Sequence, residues 1–238
     1  MSYGTLYLIP APLSDETAVA DIAPAINGRI IDSLDYFIVE NTRSARRFLS
    51  KAHVARPISE LEFRELNEHT TSQQEIEELV KPLLEGRSAG VISEAGVPAV
   101  ADPGAAVVAI CHRHGIRVVP LVGPSSILMA VMASGQNGQS FAFNGYLPVK
   151  EPERSRAVKR FEARAISEGQ SQVFIETPYR NVKLFELLLK ICAPATVLTI
   201  AADITAPTEY IRTAAIARWR QMPAPDIAKR PAIFIIGR

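Results

Sequence analysis

The sequence predicts an α/β protein of two α/β domains, the first built on a mostly parallel sheet and the second on a mixed sheet. Three observations predict it. Apolar runs that do not alternate recur through the first half, and each is followed by a helix-like stretch, which is how parallel strands covered on both faces read. The loops leaving three of these runs are rich in proline, glycine and other small residues. Beyond Val122–Gly123 the pattern changes to a charged helix, an amphipathic helix and a different spacing of strands, so the domains are read as residues 1–122 and 123–238.

Taken in order, Leu6–Ile9 is a buried strand ending at Pro10, and Ala18 to about Leu34 is a helical zone with a break at Asn27-Gly28. Tyr36–Glu40 is a second strand, and "TRSARRFLSKA" has helical character. His53 to Gln74 is a polar stretch. "QEIEELVKPLLEG" reads as an amphipathic helix stopped by Gly86, with Pro82 predicting a kink. "AGVIS" is a third strand, "PGAAVVAICHRHG" a helix entered through proline and stopped by glycine, and "RVVPLV" a fourth strand. After "GPSSILMAVMASG" come a strand at "FAFNGY", a charged helix over Glu151–Glu168, a strand at "QVFIETP" and an amphipathic helix at "YRNVKLFELLLKIC". "TVLTIAADI", "EYIRT" and "PAIFIIG" are strands, the middle one short and antiparallel.

A chain of 238 residues, 47% hydrophobic and 21% charged, has ordinary globular composition. Its formal net charge of +1 gives no general attraction to nucleic acid, so any RNA contact must come from a local patch. Cys111 and Cys192 are too few and too far apart for a disulfide scaffold, which points to a reducing, cytoplasmic setting. The opening "MSYGTLYLIP" has no basic stretch followed by a long apolar one, so no leader is expected. The longest apolar run is broken by prolines, a glycine and serines, so no membrane span is expected either. Cys111, His112 and His114 do not converge on a helix, because neighbours diverge by about 100° at 3.6 residues per turn, and no metal site is expected.

Ligands of open parallel sheets bind beyond the carboxyl ends of the strands. Three loops here share one chemistry: "PAPLSDE", "SEAGVPAVADPG" and "GPSS". Small residues let backbone groups approach a ligand, and prolines hold the shape. Glu94 and Asp102 can accept hydrogen bonds from a ribose or an amine, or cap the next helix. Neither a G-x-G-x-x-G nor a G-x-x-x-x-G-K-[ST] loop is present, which favours a small nucleoside ligand over a dinucleotide or a nucleoside triphosphate.

Six blocks carry a family likeness: "GTLYLIPAP", "ENTRSARRFLS", "VISEAGVPAVADPG", "VPLVGPSS", "FNGYLP" and "FIETPYR". In these the sequence resembles the tetrapyrrole methylase superfamily, and most of all its branch of small-subunit rRNA (cytidine-2′-O)-methyltransferases. The likeness extends from Gly4–Pro12 to Arg230–Gly237. It implies S-adenosyl-L-methionine (SAM) as methyl donor in a cleft between two α/β domains, a homodimer, and RNA of the small ribosomal subunit as substrate. Against the family pattern, Asn41 and Glu94 replace aspartates, Ala201–Thr205 lacks an arginine, and the first loop reads Ala11-Pro12-Leu13-Ser14-Asp15.

The three loops together with the likeness give the expected donor contacts: Glu94, Ala95, Gly96, Val97, Asp102, Ser125 and Ser126, then Glu176, Thr177, Pro231, Ala232 and Ile233. Methyl transfer from a sulfonium is an in-line displacement in which positioning is the main demand, and a ribose hydroxyl needs a base or a polarising cation. Glu40 and Arg43, at the end of the second strand, are the catalytic candidates. His69 lies where the family has E-H-N and is a substrate-side candidate. Lys150, Arg154, Arg156, Lys159, Arg160 and Arg164 read equally as a phosphate track or as a solvated helix face. A non-catalytic SAM- or nucleotide-binding relative, and a methyltransferase of tetrapyrroles or another small molecule, remain alternative readings.

Overall fold

The computed structural model describes residues 2–66 and 72–238. The chain divides into two compact units, Met1–Ser125 and Ser126–Arg238. In the first, β1 (Thr5–Ile9), β2 (Tyr36–Val39), β3 (Glu62–Glu65), β4 (Ala89–Ile92) and β5 (Arg117–Pro120) form one sheet in the order β3-β2-β4-β1-β5. Every pairing in it is parallel. The helices are α1 (Val19–Ile22), α2 (Ala25–Asp32), α3 (Thr42–Lys51), α4 (Gln73–Leu84) and α5 (Gly104–Arg113). β2 and β4 are buried along their whole length, which is why their sequences are continuous apolar runs.

Two apolar clusters make the core of this unit. One gathers Leu6, Tyr36, Ile38, Val80, Leu83, Val91, Val107 and Ile110, and the other Ile9, Ile31, Phe37, Val39, Phe48, Leu49 and Ile92. Alternate residues of β2 therefore serve opposite clusters, as the two-residue period of a strand requires. α4 starts at a capping box between Ser72 and Glu75.

Two details differ from the sequence reading. The helical zone breaks at Ala23-Pro24, not at Asn27-Gly28, because Pro24 has no N–H to continue a helix and instead begins α2. Asn27 and Gly28 lie inside α2, where Asn27 is buried and its Nδ2 donates to Val122 O at 2.8 Å. The polar stretch after His53 contains a strand: β3 is an edge strand, so its "EFRE" shows no apolar run, yet Phe63 stacks on Phe37 at 5.8 Å.

The second unit holds α6 (Ser126–Ser134), β6 (Phe141–Tyr146), α7 (Glu153–Glu168), β7 (Ser171–Ile175), α8 (Asn181–Ile191), β8 (Val197–Ala202), β9 (Tyr210–Ala215), α9 (Ile216–Trp219) and β10 (Ala232–Gly237). Its sheet has the order β6-β7-β10-β8-β9. β6 and β7 are parallel and the other pairs antiparallel, which makes the sheet mixed. Its core stacks Phe174 on Phe234 at 6.0 Å and on Phe161 at 6.1 Å. Trp219 meets Phe185 edge-on, and its indole N–H donates to Leu198 O at 2.9 Å, so the one polar atom of a fully buried ring is satisfied. Among the described residues no helix is long and apolar enough to cross a membrane.

Candidate active site

In the first unit β1 lies between β4 and β5, so their three exit loops leave the sheet side by side. The loops are interlocked. Ala11 and Gly96 exchange backbone hydrogen bonds at 2.9 and 3.0 Å. A Cβ on Gly123 would sit 2.2 Å from Pro10 Cβ, and one on Gly96 3.2 Å from Leu13 Cδ2. Gly96 has φ +73°, a conformation suited to glycine, so the "AGVP" loop depends on this residue twice, for its angle and for its size.

Asp102 organises the far end of the same loop. Its Oδ1 accepts the N–H of Ala99 at 2.8 Å and of Gly104 at 2.7 Å, closing the turn into α5. Burial holds its carboxyl above the ordinary value, against the pull of those two N–H groups. Ala99 and Ala101 both have positive φ, so the turn is strained as well as capped.

Glu40 follows β2. Its Oε2 accepts the backbone N–H of Glu94 at 3.1 Å, and Glu94 Oε2 in turn accepts Ser44 Oγ–H at 3.0 Å. Burial raises the Glu40 carboxyl above its usual range; the Glu94 N–H opposes this, and the charges of Asp102 and Glu94 add to it. Arg43 is exposed in the first turn of α3, and among the described residues nothing forms a hydrogen bond or ion pair with it. Glu40 therefore serves Glu94 and not Arg43. Asn41, which replaces the family aspartate, still caps α3, its side chain accepting Ser44 N–H at 3.1 Å.

A cavity of about 220 Å³ opens beside this chain of contacts. Leu13, Asp15, Ser44, Arg47, Phe48, Lys51, Ile92 and Glu94 are among the residues that line it. Ser44, Asp15, Arg47 and Lys51 were not among the site residues expected from sequence. The signal available was the N-cap spacing Asn41-x-x-Ser44 and an α3 with four cations and no acid.

In the second unit Ile175 pairs with Ile233, so Glu176 and Thr177 at the end of β7 lie beside Pro231, Ala232 and Ile233 at the start of β10. Glu176 is buried; its Oε1 accepts Thr177 N–H at 2.7 Å and Arg180 Nε–H at 2.9 Å, while Oε2 has no donor. Ser126 begins α6, and Ser125 precedes it.

Each unit, taken by itself, offers acceptors of the kind a SAM molecule needs. In the first, the Glu94 carboxylate can accept from an ammonium or a ribose hydroxyl; in the second, Glu176 keeps a buried oxygen lacking a donor. The backbone N–H and C=O of Gly96 are both spent on Ala11, so this turn fixes the shape of the loop.

The remaining candidates are dispersed. Arg154 binds the carbonyls of Pro148 and Val149, Arg156 pairs with Glu153, Lys159 reaches Ile191 O, Arg160 stacks on Phe161, and Arg164 pairs with Glu168. That face of α7 is largely committed to its own helix and loop. Cys111 is buried while His112 and His114 are exposed, and among the described residues no cluster suits a metal ion. His69 lies outside the described residues.

A family model described as Tetrapyrrole (Corrin/Porphyrin) Methylases matches residues 25–218. Ribosomal RNA small subunit methyltransferase I of Vibrio cholerae is 31% identical over 207 residues, which cover 87% of this chain and 67% of that protein. Among solved structures, the methyltransferase CobJ aligns with a TM-score of 0.64 at 17% identity, covering 100% of this chain and 95% of that one. Uroporphyrin-III C-methyl transferase from Thermus thermophilus, complexed with S-adenyl homocysteine, aligns at 0.57 and 18% identity, covering 99% and 98%. The two-sheet architecture is the one shared with these structures, and the match spans both sheets of the chain. The chain belongs to the tetrapyrrole (corrin/porphyrin) methylase family.

Proposed function

We propose that this protein is a SAM-dependent methyltransferase that methylates a ribose 2′-oxygen in RNA of the small ribosomal subunit. The supporting observation is a cavity at the carboxyl edge of a parallel sheet, bordered by Ser44 and Glu94 and tied to Glu40, in a chain 31% identical to an enzyme named for small-subunit rRNA. Glu94–Val97, Asp102 and Ser125 hold the donor from the first unit's loops; Ser126, Glu176, Thr177 and Pro231–Ile233 are the donor-binding candidates of the second unit. The bound donor supplies an electrophilic methyl group and a neutral thioether leaving group.

The chain's own residues supply position and a proton acceptor. Arg43 has no partner among the described residues to release, and a guanidinium there can hold a phosphate through two parallel hydrogen bonds. Glu40 takes the proton of the attacking hydroxyl. Burial raises its carboxyl, which makes it a better base than an exposed glutamate. Asp102 keeps the loop in shape by capping it.

The working form is a homodimer in the cytoplasm. Leu128 and Met132, one turn apart on α6, are 51% and 81% exposed and offer an apolar face to a second copy. Sedimentation at micromolar concentration checks this, a species of only 26.0 kDa contradicting it.

Small ribosomal subunits incubated with the protein and methyl-labelled SAM test the main reading. Label recovered in the RNA is expected. Calorimetric SAM binding without any transfer identifies a non-catalytic relative instead.

A further inference from the structure

α3 carries Arg43, Arg46, Arg47 and Lys51 and no acidic residue, in a protein whose net charge is only +1. Arg43, Arg47 and Lys51 recur every four residues, so they stand along one stripe, rising about 6 Å per step. The last two converge on one acid from the loop after β1. Asp15 Oδ2 lies 3.3 Å from Arg47 Nη2 and Oδ1 lies 3.6 Å from Lys51 Nζ; Lys51 also donates to Asp15 O at 2.8 Å. All three line the same cavity as Ser44 and Glu94.

Resting on the RNA reading above, we propose that Arg47 and Lys51 form a phosphate subsite for the RNA backbone and that the Asp15 carboxylate fills it until RNA enters. A carboxylate and a phosphodiester each present two oxygens sharing one negative charge, so each can accept from the same two cations. The Asp15 side chain is 69% exposed and those of Arg47 and Lys51 58% and 46%, so the ion pairs are solvent-screened and exchange at little cost. The exchange also admits substrate selectively: a neutral molecule has nothing to displace Asp15 with. A phosphate on Arg47 and Lys51 places the nucleoside next to it in the cavity toward Ser44 and Glu94.

The experiment measures binding of a 12-residue single-stranded RNA of mixed sequence to the full chain, by fluorescence anisotropy over a salt series, with SAM affinity and thermal melting as controls. R47Q/K51Q is expected to weaken RNA binding by about tenfold or more and to flatten the salt slope by roughly one, as loss of phosphate contacts requires. D15N is expected to tighten it about three- to tenfold, with SAM affinity unchanged in both. A well-folded R47Q/K51Q that binds RNA with wild-type affinity and slope overturns the subsite, and so does a D15N that binds more weakly. Wild-type protein that neither binds RNA nor methylates small subunits overturns the RNA reading itself, and the subsite with it.

Discussion

Glu40 Oε2 accepts the backbone N–H of Glu94 at 3.1 Å, and this one bond ties the end of β2 to the loop leaving β4. A side chain proposed to move a proton is thereby fixed by the loop proposed to hold the methyl donor. Glu40→Gln keeps an acceptor for that N–H and removes only the charge. Transfer is expected to fall by about two to four orders of magnitude, the range for losing a positioned base. Because the carboxyl is raised in the folded protein, its contribution to stability is present below the unfolded value and lost as pH rises through the folded one. At neutral pH the charge opposes folding, so Glu40→Gln should melt no lower than wild type. In the wild type, kcat should fall as pH drops, and begin to fall at a higher pH than an ordinary glutamate would set.

Arg43→Ala separates acceptor positioning from donor binding. SAM affinity by calorimetry should stay within about twofold while transfer drops at least a hundredfold, about 3 kcal/mol of lost alignment. A parallel loss of both would place Arg43 in the donor site or the fold, and no loss of either would make it a surface cation.

Asp102 and Gly96 shape the donor loop by different means, and their variants should differ accordingly. Asp102→Ala strands two N–H groups and should cost about 1–2 kcal/mol of stability, read by urea denaturation. Gly96→Ala puts a Cβ 3.2 Å from Leu13 Cδ2 at φ +73° and should cost about 1–3 kcal/mol while weakening SAM binding. A Gly96→Ala protein with full SAM affinity would show that the loop does not depend on that turn.

Cys111 and Cys192 are both buried, and burial pushes their thiols up to about 11 and about 12. At pH 8 neither supplies thiolate, so a disulfide reagent should leave the native protein unmodified and titrate two thiols after denaturation. Rapid labelling of either cysteine in the folded state would contradict the packing around α5 or α8.

The parallel strands were legible because β2 and β4 are buried on both faces and must be continuous apolar runs. β3 was not, because an edge strand buries only part of itself and "EFRE" carries charges that Arg64 and Arg87 satisfy. The break at Pro24 was misplaced because Asn27-Gly28 is a turn signal locally, and the tertiary bond from Asn27 to Val122 outweighs it. In the site, the loop residues could be read from glycine and proline content. The Ser44–Glu94 and Asp15–Lys51 contacts could not, since they join segments 50 and 36 residues apart through side chains whose direction no local pattern fixes.

Transfer to a ribose oxygen has a chemical signature of its own. Small-subunit RNA labelled by the protein from methyl-labelled SAM should be digested to completion with alkali and the products separated by length. A 2′-O-methyl group removes the hydroxyl that cleaves the adjoining phosphodiester, so 2′-O-methylation predicts all label in an alkali-resistant dinucleotide. Label in mononucleotides would place the methyl group on a base, and an unlabelled RNA beside a labelled tetrapyrrole would assign the enzyme a different substrate.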